Sequence, residues 1–555
     1  MRQIFTPCRL AGALVASLML PVAILTYTEH DPLRVALIAI LMPLGFYTTF
    51  VGLARRSGTM VWWALPFIFL SAFQVVISHL FSGSVIAADM FLNLSTTNSA
   101  EAGELLSNIY PSLIVVCIIY LPLLWIATQH LCRGLSLEWC IRRKMILSGV
   151  ATMSIGVALL LSSGRGEAVR IVRDEVFPVN VIYNMYLAIT EARNISHYPQ
   201  TSSNFRYGAS RQSPNTEREV YVMVIGEASR AANWQLYGYH RPTNPRLASR
   251  NDIFIFRGIT TQSNTTHKSV PMMLSSIHTS QHPELYHRKG VIALFNEAGY
   301  STHFISTQAP QGAMIDHLAA EAQNVVYTAP AAYDEALAEE LRQILDEDTS
   351  HRIMVVLHTY GSHFSYHHRY PRSQAYFTPD DDVAISPDNK TMIRNAYDNS
   401  IRYTDLILDN IISLLDSSAT CSAILYCADH GEDLFDGEDE RFLHSSPTTT
   451  YWQLHVASLA WFSPRYRALY PDKVWAAAAN ANATATTYSL FHTLADIASI
   501  TSPYIEERAS LVSPYFDHAT RRYYLNDHNR AVPLNQEIGI DEQQKALFQV
   551  AGVFL

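Results

Sequence analysis

The apolar positions of this 555-residue chain change their pattern near residue 165. Before that point they gather into five long runs, at about 10–27, 35–54, 60–80, 109–129 and 145–162, each 18 to 21 residues long. A helix needs roughly 20 apolar residues to cross the hydrocarbon of a bilayer, so the pattern predicts five membrane spans. The first run has the look of a secretory leader, but four more follow it, and it is expected to stay as an uncleaved first helix. After about 217 the apolar runs shorten. "EVYVMVIGEASR" (219–230), "RIMVVLHTYGSH" (352–363) and "SAILYCADHGED" (422–433) share one plan: a continuous, β-branched apolar run followed at once by Gly and acidic or His residues. Continuous rather than alternating runs predict strands buried on both faces. The stretches 331–346 and 398–416 between them carry a helical period.

These patterns predict a five-helix transmembrane region at 1–164, a linker at 165–216, and an α/β domain with a mainly parallel sheet at 217–555. Within the linker, 176–192 is apolar enough for an interfacial helix, and the polar stretch 197–216 is expected to run over the surface. The biased stretch 475–487 reads as a loop or irregular helix. The polar, acidic loop 81–108 is expected on the same side as the α/β domain, as a plain connector or a cover over its active mouth.

Charge placement adds orientation. Arg2, Arg9, Arg55, Arg56, Arg133, Arg142, Arg143 and Lys144 flank one side of the predicted spans; the other carries Glu29, Asp31, Asp89, Glu101 and Glu104 with the single Arg34. The positive-inside rule then puts the N-terminus in the cytoplasm, and five spans deliver the α/β domain to the opposite face. A formal net charge of −9, with no Lys/Arg cluster in the second half, argues against nucleic-acid binding. Only Cys421 and Cys427 lie beyond the spans. Six positions apart in one strand they would stand about 20 Å from each other, too far for a disulfide.

Ligands of parallel α/β sheets gather beyond the carboxyl ends of the strands, where all three polar motifs fall. Asp429 and His430 offer a hard oxygen and a borderline nitrogen, a mixture that suits zinc and less often manganese. Glu227 ends a second strand, His358 and His363 follow a third, and His444 comes after an acidic loop. Such an array suits a two-metal centre. A nucleophile is available in "GITTQSNTTHKSVPMMLSSI" (258–277), where Thr265, Thr266 and Ser269 precede Pro271 at the start of a helical pattern. A hydroxyl there lies near unpaired backbone N–H groups that favour phosphate. It could equally serve as a helix cap, and the pattern does not choose between the two threonines.

The runs "GEASRAANWQLYGYHRPTNP" (226–245), "NTTHKSVP" (264–271), "HTYGSHFSYHHRYP" (358–371) and "ADHGEDL" with "LHSSP" (428–447) follow one another in a recognisable order. With the five spans, the chain resembles the phosphoethanolamine transferases of Gram-negative inner membranes, within the alkaline phosphatase and sulfatase superfamily. The resemblance implies that Thr266 accepts the phosphoethanolamine group. Glu227, Asp429 and His430, with the Thr266 oxygen, would hold one Zn(2+). His363 and His444 match positions that meet a second zinc or the substrate phosphate. Asn233 and His358 match motif positions on the substrate side, and Lys268 would meet substrate phosphate or face water.

The donor implied is phosphatidylethanolamine. The acceptor is lipopolysaccharide, at lipid A or a core sugar, with periplasmic glucans as an alternative. The expected enzyme is a monomer of the inner membrane with its catalytic domain in the periplasm. Gln262 and Met272 stand where many lipid A-modifying members carry a disulfide bracketing the nucleophile segment, which weakens the implication for lipid A. A glycerol phosphate transferase of the lipoteichoic acid synthase type is the nearest rival. The Cys/Ser-x-Pro-x-Arg run of standard sulfatases is absent around 264–275.

Overall fold

The computed structural model describes residues 6–554, apart from 29–31, 81–84, 97–98, 212–216, 329–332, 439, 446 and 535–539, and apart from the side chains of 93–107. The chain forms two compact units, one made of 1–91 with 99–189 and the other of 92–98 with 190–555.

The first unit is helical. Its elements are α1 (Pro7–Thr28), α2 (Leu33–Leu53), α3 (Ser57–Trp63), α4 (Leu65–Leu80), α5 (Ala88–Thr96), α6 (Ser99–Cys132), α7 (Trp139–Leu161) and α8 (Arg165–Asp174). Among the described residues four helices are long and apolar enough to span a bilayer: α1, α2, the Asn108–Cys132 part of α6, and α7. The third predicted span is broken, α3 and α4 meeting at a bend of 58°. Pro66 sits in the first turn of α4, where it has no N–H to carry a hydrogen-bond ladder across the break. Counting that pair as one span gives five.

The predicted loop 81–108 is in part helical, in α5 and the start of α6, while 81–84 and 97–98 lie outside the described residues. Helices α2 and α7 approach closely through glycines on both: Gly45 and Gly149 lie against each other, Gly52 lies against Arg142 and Met145, and Gly156 lies against Leu41 and Met42. Small residues permit that approach where apolar lipid supplies no hydrophobic drive. Arg142 of α7 caps the C-terminus of α2, donating from Nε to the Gly52 carbonyl at 3.0 Å and from its terminal nitrogen to Leu53 at 2.6 Å.

Helix α9 (Val179–Thr201) runs out of the first unit into the second. It covers the predicted interfacial segment but continues into the stretch expected on the surface. Tyr198 and Tyr207 are in fact buried in the core of the second unit. Their rings pack there because the hydroxyls find acceptors, Glu321 for Tyr198 at 2.6 Å and the Lys289 carbonyl for Tyr207.

The second unit is built on a sheet with seven strands among the described residues: β1 (Glu219–Gly226), β2 (Ile253–Ile255), β3 (Ser301–Ser306), β4 (Asn324–Tyr327), β5 (Arg352–His358), β6 (Cys421–Ala428) and β7 (Ser458–Phe462). Their order is β2-β7-β6-β1-β5-β3-β4. From β6 to β4 every pairing is parallel; β7 runs antiparallel to both its neighbours. Val222 of β1 stands level with Val355 of β5 and Ile424 of β6, so the three motif-bearing strands are central and adjacent. β1 and β6 are buried along their whole length, as their unbroken apolar runs require.

Cys421 and Cys427 are buried at opposite ends of β6 as free thiols. The helix-like segments become Glu335–Glu347 and the long α11 (Lys390–Ser417), with α10 (Thr266–Met273) between β2 and β3 in sequence. The biased stretch 475–487 is more ordered than its composition suggests. A helix ends at Ala479, and the β-branched run Thr484–Thr486 then pairs in parallel with Gly258–Thr260.

Candidate metal centre

Because β1 and β6 are parallel neighbours, their carboxyl ends deliver side chains to one place. Gly226 lies level with Ala428, so the next residues, Glu227 and Asp429, leave the sheet side by side. Glu227, Asp429 and His430 are completely buried, and one ligand atom from each lies within 4.8 Å of the others. His430 Nε2 is 3.4 Å from Glu227 Oε1 and 3.2 Å from Asp429 Oδ2. Its Nδ1 is 2.9 Å from the Gly431 carbonyl; an N–H there fixes the tautomer and leaves Nε2 as the ligating atom.

The arrangement is tightly braced. Ala228 N–H donates to Asp429 Oδ1 at 3.0 Å, as does the His430 N–H at 2.7 Å. Gly361, at φ +51°, lies against Glu227 so closely that a Cβ would come within 2.9 Å of the Glu227 carbonyl oxygen. A methyl at Gly431 would overlap the Trp452 carbonyl.

Thr266 is the first residue of α10 and Thr265 is its N-cap position. The structure thereby separates two residues that the sequence left equivalent. Thr266 Oγ1 donates to Glu227 Oε1 at 3.2 Å and lies 3.1 Å from His430 Nε2, while Thr265 Oγ1 is buried without a hydrogen-bond partner among the described residues.

Electrostatics explain what the cluster is fitted for. Burial and the adjacent Asp429 push the Glu227 carboxyl well above the usual carboxylate range. Burial lowers His430, which favours its neutral, ligating form. Asp429 Oδ2, though buried, has no hydrogen-bond donor among the described residues. Two buried carboxyl groups, one neutral imidazole nitrogen and one hydroxyl converge on one place. That donor set matches zinc.

The other candidate residues divide. His444 lies against His430, ring centroids 4.0 Å apart and planes tilted by 39°, and its Nδ1 lies 3.1 Å from Glu432 Oε1. His363 anchors Nδ1 on the Phe364 carbonyl at 2.5 Å, which leaves Nε2 available. Burial lowers His363 to about 3 and His444 to about 4. His358 stands one layer back, with Nε2 3.3 Å from Gln308 Nε2, and Gln308 in turn donates to Glu227 Oε2 at 3.0 Å.

Asn233 is engaged away from the cluster: its amide donates to Asp398 at 2.5 Å and its oxygen accepts from Arg230 at 2.6 Å. Arg230 also donates to the Glu432 carbonyl at 2.9 Å, so this network holds the segment that leads to His444. Lys268 does not face water. It is fully buried and reaches the carbonyls of Asn526 and Asp527.

Two contributors went unassigned in the sequence. Gln308 follows β3 at its carboxyl end, so the rule that found Glu227 could have found it. Glu432 sits inside "ADHGEDL", and burial raises it to about 8.

Comparison with known proteins agrees with this picture. Phosphoethanolamine transferase EptA of Salmonella typhimurium is 30% identical over 315 residues, 54% of this chain and 56% of that protein. Kdo(2)-lipid A phosphoethanolamine 7''-transferase of Escherichia coli is 28% identical over 269 residues, 46% of each chain. The chain thus spans about half the length of the curated relatives it matches. The solved integral membrane lipooligosaccharide phosphoethanolamine transferase A (EptA) of Neisseria meningitidis superposes on 90% of this chain and 97% of its own, with a TM-score of 0.69 and 20% identity, a likeness of fold. The family model described as Sulfatase matches residues 219–500, from the first strand of the sheet past both sides of the metal cluster. That match takes in just over half of the 555 residues, and the chain belongs to the sulfatase family.

Proposed function

We propose that this protein is a zinc-dependent phosphoethanolamine transferase of the bacterial inner membrane. It moves phosphoethanolamine from phosphatidylethanolamine to lipopolysaccharide, at lipid A or a core sugar, from a catalytic domain in the periplasm. One observation carries the reading: the Thr266 hydroxyl lies at a helix N-terminus within 3.2 Å of both Glu227 and His430. The names of the relatives supply the substrate class, and the long apolar helices supply access to a lipid donor.

Glu227, Asp429, His430 and Thr266 would hold the zinc, with His363 and His444 beside a second ion or the substrate phosphate. Bound there, zinc supplies Lewis-acid stabilisation of charge on phosphoryl oxygens. The chain's own groups do the rest. Glu227 and His430 orient Thr266 Oγ1 toward phosphorus. The new Thr266–phosphorus bond forms as the bond to the diacylglycerol oxygen breaks. The Thr266 proton would pass to a neutral imidazole nitrogen of His363 or His444, which returns it to the departing diacylglycerol oxygen. N–H groups of the first turn of α10 face the nonbridging oxygens. In the second step an acceptor hydroxyl or phosphate attacks, Thr266 is released, and it regains its proton. Burial keeps His363 and His444 neutral, so each has a nitrogen able to accept this proton, as a weak base that gives it up readily.

Intact-protein mass spectrometry after incubation with phosphatidylethanolamine tests the first step. The wild type is expected to gain one phosphoethanolamine group mapped to Thr266, and Thr266→Ala none. A glycerol phosphate adduct from phosphatidylglycerol would move the assignment to the lipoteichoic acid synthase type. No adduct on folded, zinc-loaded protein from either lipid would overturn the covalent mechanism.

A further inference from the structure

The nucleophile segment is braced from a part of the chain that the family match does not reach. Beyond residue 500, β8 (Tyr523–Leu525) and β9 (Ala531–Pro533) form an antiparallel hairpin, with Tyr524 opposite Val532. Its turn is tightly specified: Asn526 Oδ1 accepts the N–H groups of His528 and Arg530 at 3.1 and 2.9 Å, and Asn529 takes φ +57°.

Five bonds tie this hairpin to the nucleophile's own stretch of chain. Leu525 N–H donates to the Gln262 carbonyl at 2.7 Å. Tyr524 hydroxyl donates to Asn264 Oδ1 at 2.7 Å. Thr279 hydroxyl donates to the Tyr523 carbonyl at 3.2 Å. Lys268, two residues past Thr266, donates to the carbonyls of Asn526 and Asp527 at 3.3 and 3.4 Å. The side chains of Gln262, Asn264, Lys268, Thr279, Tyr524 and Leu525 are buried. Asn264 also works in the other direction. Its amide donates to Gln453 Oε1 at 2.7 Å, and its carbonyl accepts the Ser445 N–H at 3.2 Å, one residue from His444.

We infer that the Tyr523–Pro533 hairpin is a positioning device for Thr266, with Tyr524 and Lys268 as positioning residues that set the register of the nucleophile helix against the metal cluster. The inference rests on Thr266 being the nucleophile. Neither residue touches the reacting atoms; each ties the chain on one side of Thr266, through the Asn264 side chain before it and the Lys268 side chain after it. Losing one of these ties lets the hydroxyl drift, and a misplacement near 1 Å costs up to about 100-fold in rate.

The test measures the rate of phosphoethanolamine adduct formation on Thr266 in the full-length zinc-loaded protein, with phosphatidylethanolamine in mixed micelles. Tyr524→Phe, which removes one oxygen, and Lys268→Met are compared with wild type and with Lys268→Arg. Expected is a fall of roughly 10- to 100-fold in the adduct rate and in kcat, with KM and zinc content near wild type, Tm near wild type in Tyr524→Phe and lowered in Lys268→Met, which loses the charge facing buried Glu191, and partial rescue in Lys268→Arg, all rates being read well below each Tm. Variants that hold zinc and form the adduct at the wild-type rate would overturn the inference. So would a loss that merely follows a lowered Tm and is absent from folded Tyr524→Phe. If wild type itself forms no adduct, the failure belongs to the proposed function instead.

Discussion

At the scale of single residues, the cluster is a set of groups that are uncomfortable without a cation. Glu227 and Asp429 are buried side by side, and burial together with the Asp429 charge raises Glu227. Bringing a divalent ion between them relieves like-charge repulsion that water cannot screen. Two consequences follow for Glu227→Gln. Metal analysis should find zinc content fall from about one ion per chain to a small fraction, since a neutral amide is a poor zinc ligand. Melting with and without a chelator should then separate the variants. Removal of zinc is expected to lower the wild-type Tm, because an ion bound only by the folded state stabilises it. The chelated and unchelated Glu227→Gln protein should melt alike, and above chelated wild type, since the variant has shed the repulsion. Equal zinc in both proteins would remove Glu227 from the ligand set.

At the scale of elements, two packings carry the molecule's precision. In the second unit, parallel β1 and β6 end in step, and that register places Glu227 beside Asp429. In the first, α2 and α7 meet through glycines, and a side chain at Gly149 would overlap Thr49 and the Gly45 carbonyl. Gly149→Leu is therefore expected to destabilise the helical unit by about 2–4 kcal/mol, through forced separation of the two helices. Thermal melting of the full chain in detergent checks it, and an unchanged Tm would show that this helix pair is not close-packed. The single N–H missing at Pro66 has a similarly local effect, breaking one predicted span into two helices.

At the scale of the whole molecule, burial of neutral histidines away from the metal cluster sets an acid limit. Burial lowers His282 and His455 to about 4 and His492 to about 3. In each case the folded state binds its proton later than the unfolded chain, whose histidines titrate near the ordinary 6.5. Between about pH 6.5 and 4 the unfolded state holds more protons, so stability is present above that window and lost as pH falls through it. His455 alone would contribute about 3 kcal/mol across the window. Tm of the detergent-solubilised protein should fall steeply below about pH 6. Chelated protein should show the same fall, because none of the three belongs to the metal cluster. A Tm flat from pH 7 to 4.5 would contradict these buried environments.

Sequence periodicity alone determined the helical first part, the mainly parallel sheet and the strand-end location of Glu227, Asp429 and His430. These follow from local rules: the length of an apolar run, its β-branched content and the polar residues that stop it. What the tertiary structure decided depends on partners remote in the chain. Thr266 parted from Thr265 only when α10 met the cluster, since adjacent hydroxyls on a helix start differ solely in the direction they face. Lys268 and Asn233 turned inward because Asn526 and Asp398, 258 and 165 positions away, offer acceptors that no local pattern announces. Tyr198 and Tyr207, in a stretch polar enough to read as surface, are core residues for the same reason. A run of residues carries its own hydrophobic period, but which way a polar side chain points is settled by whatever the fold brings against it.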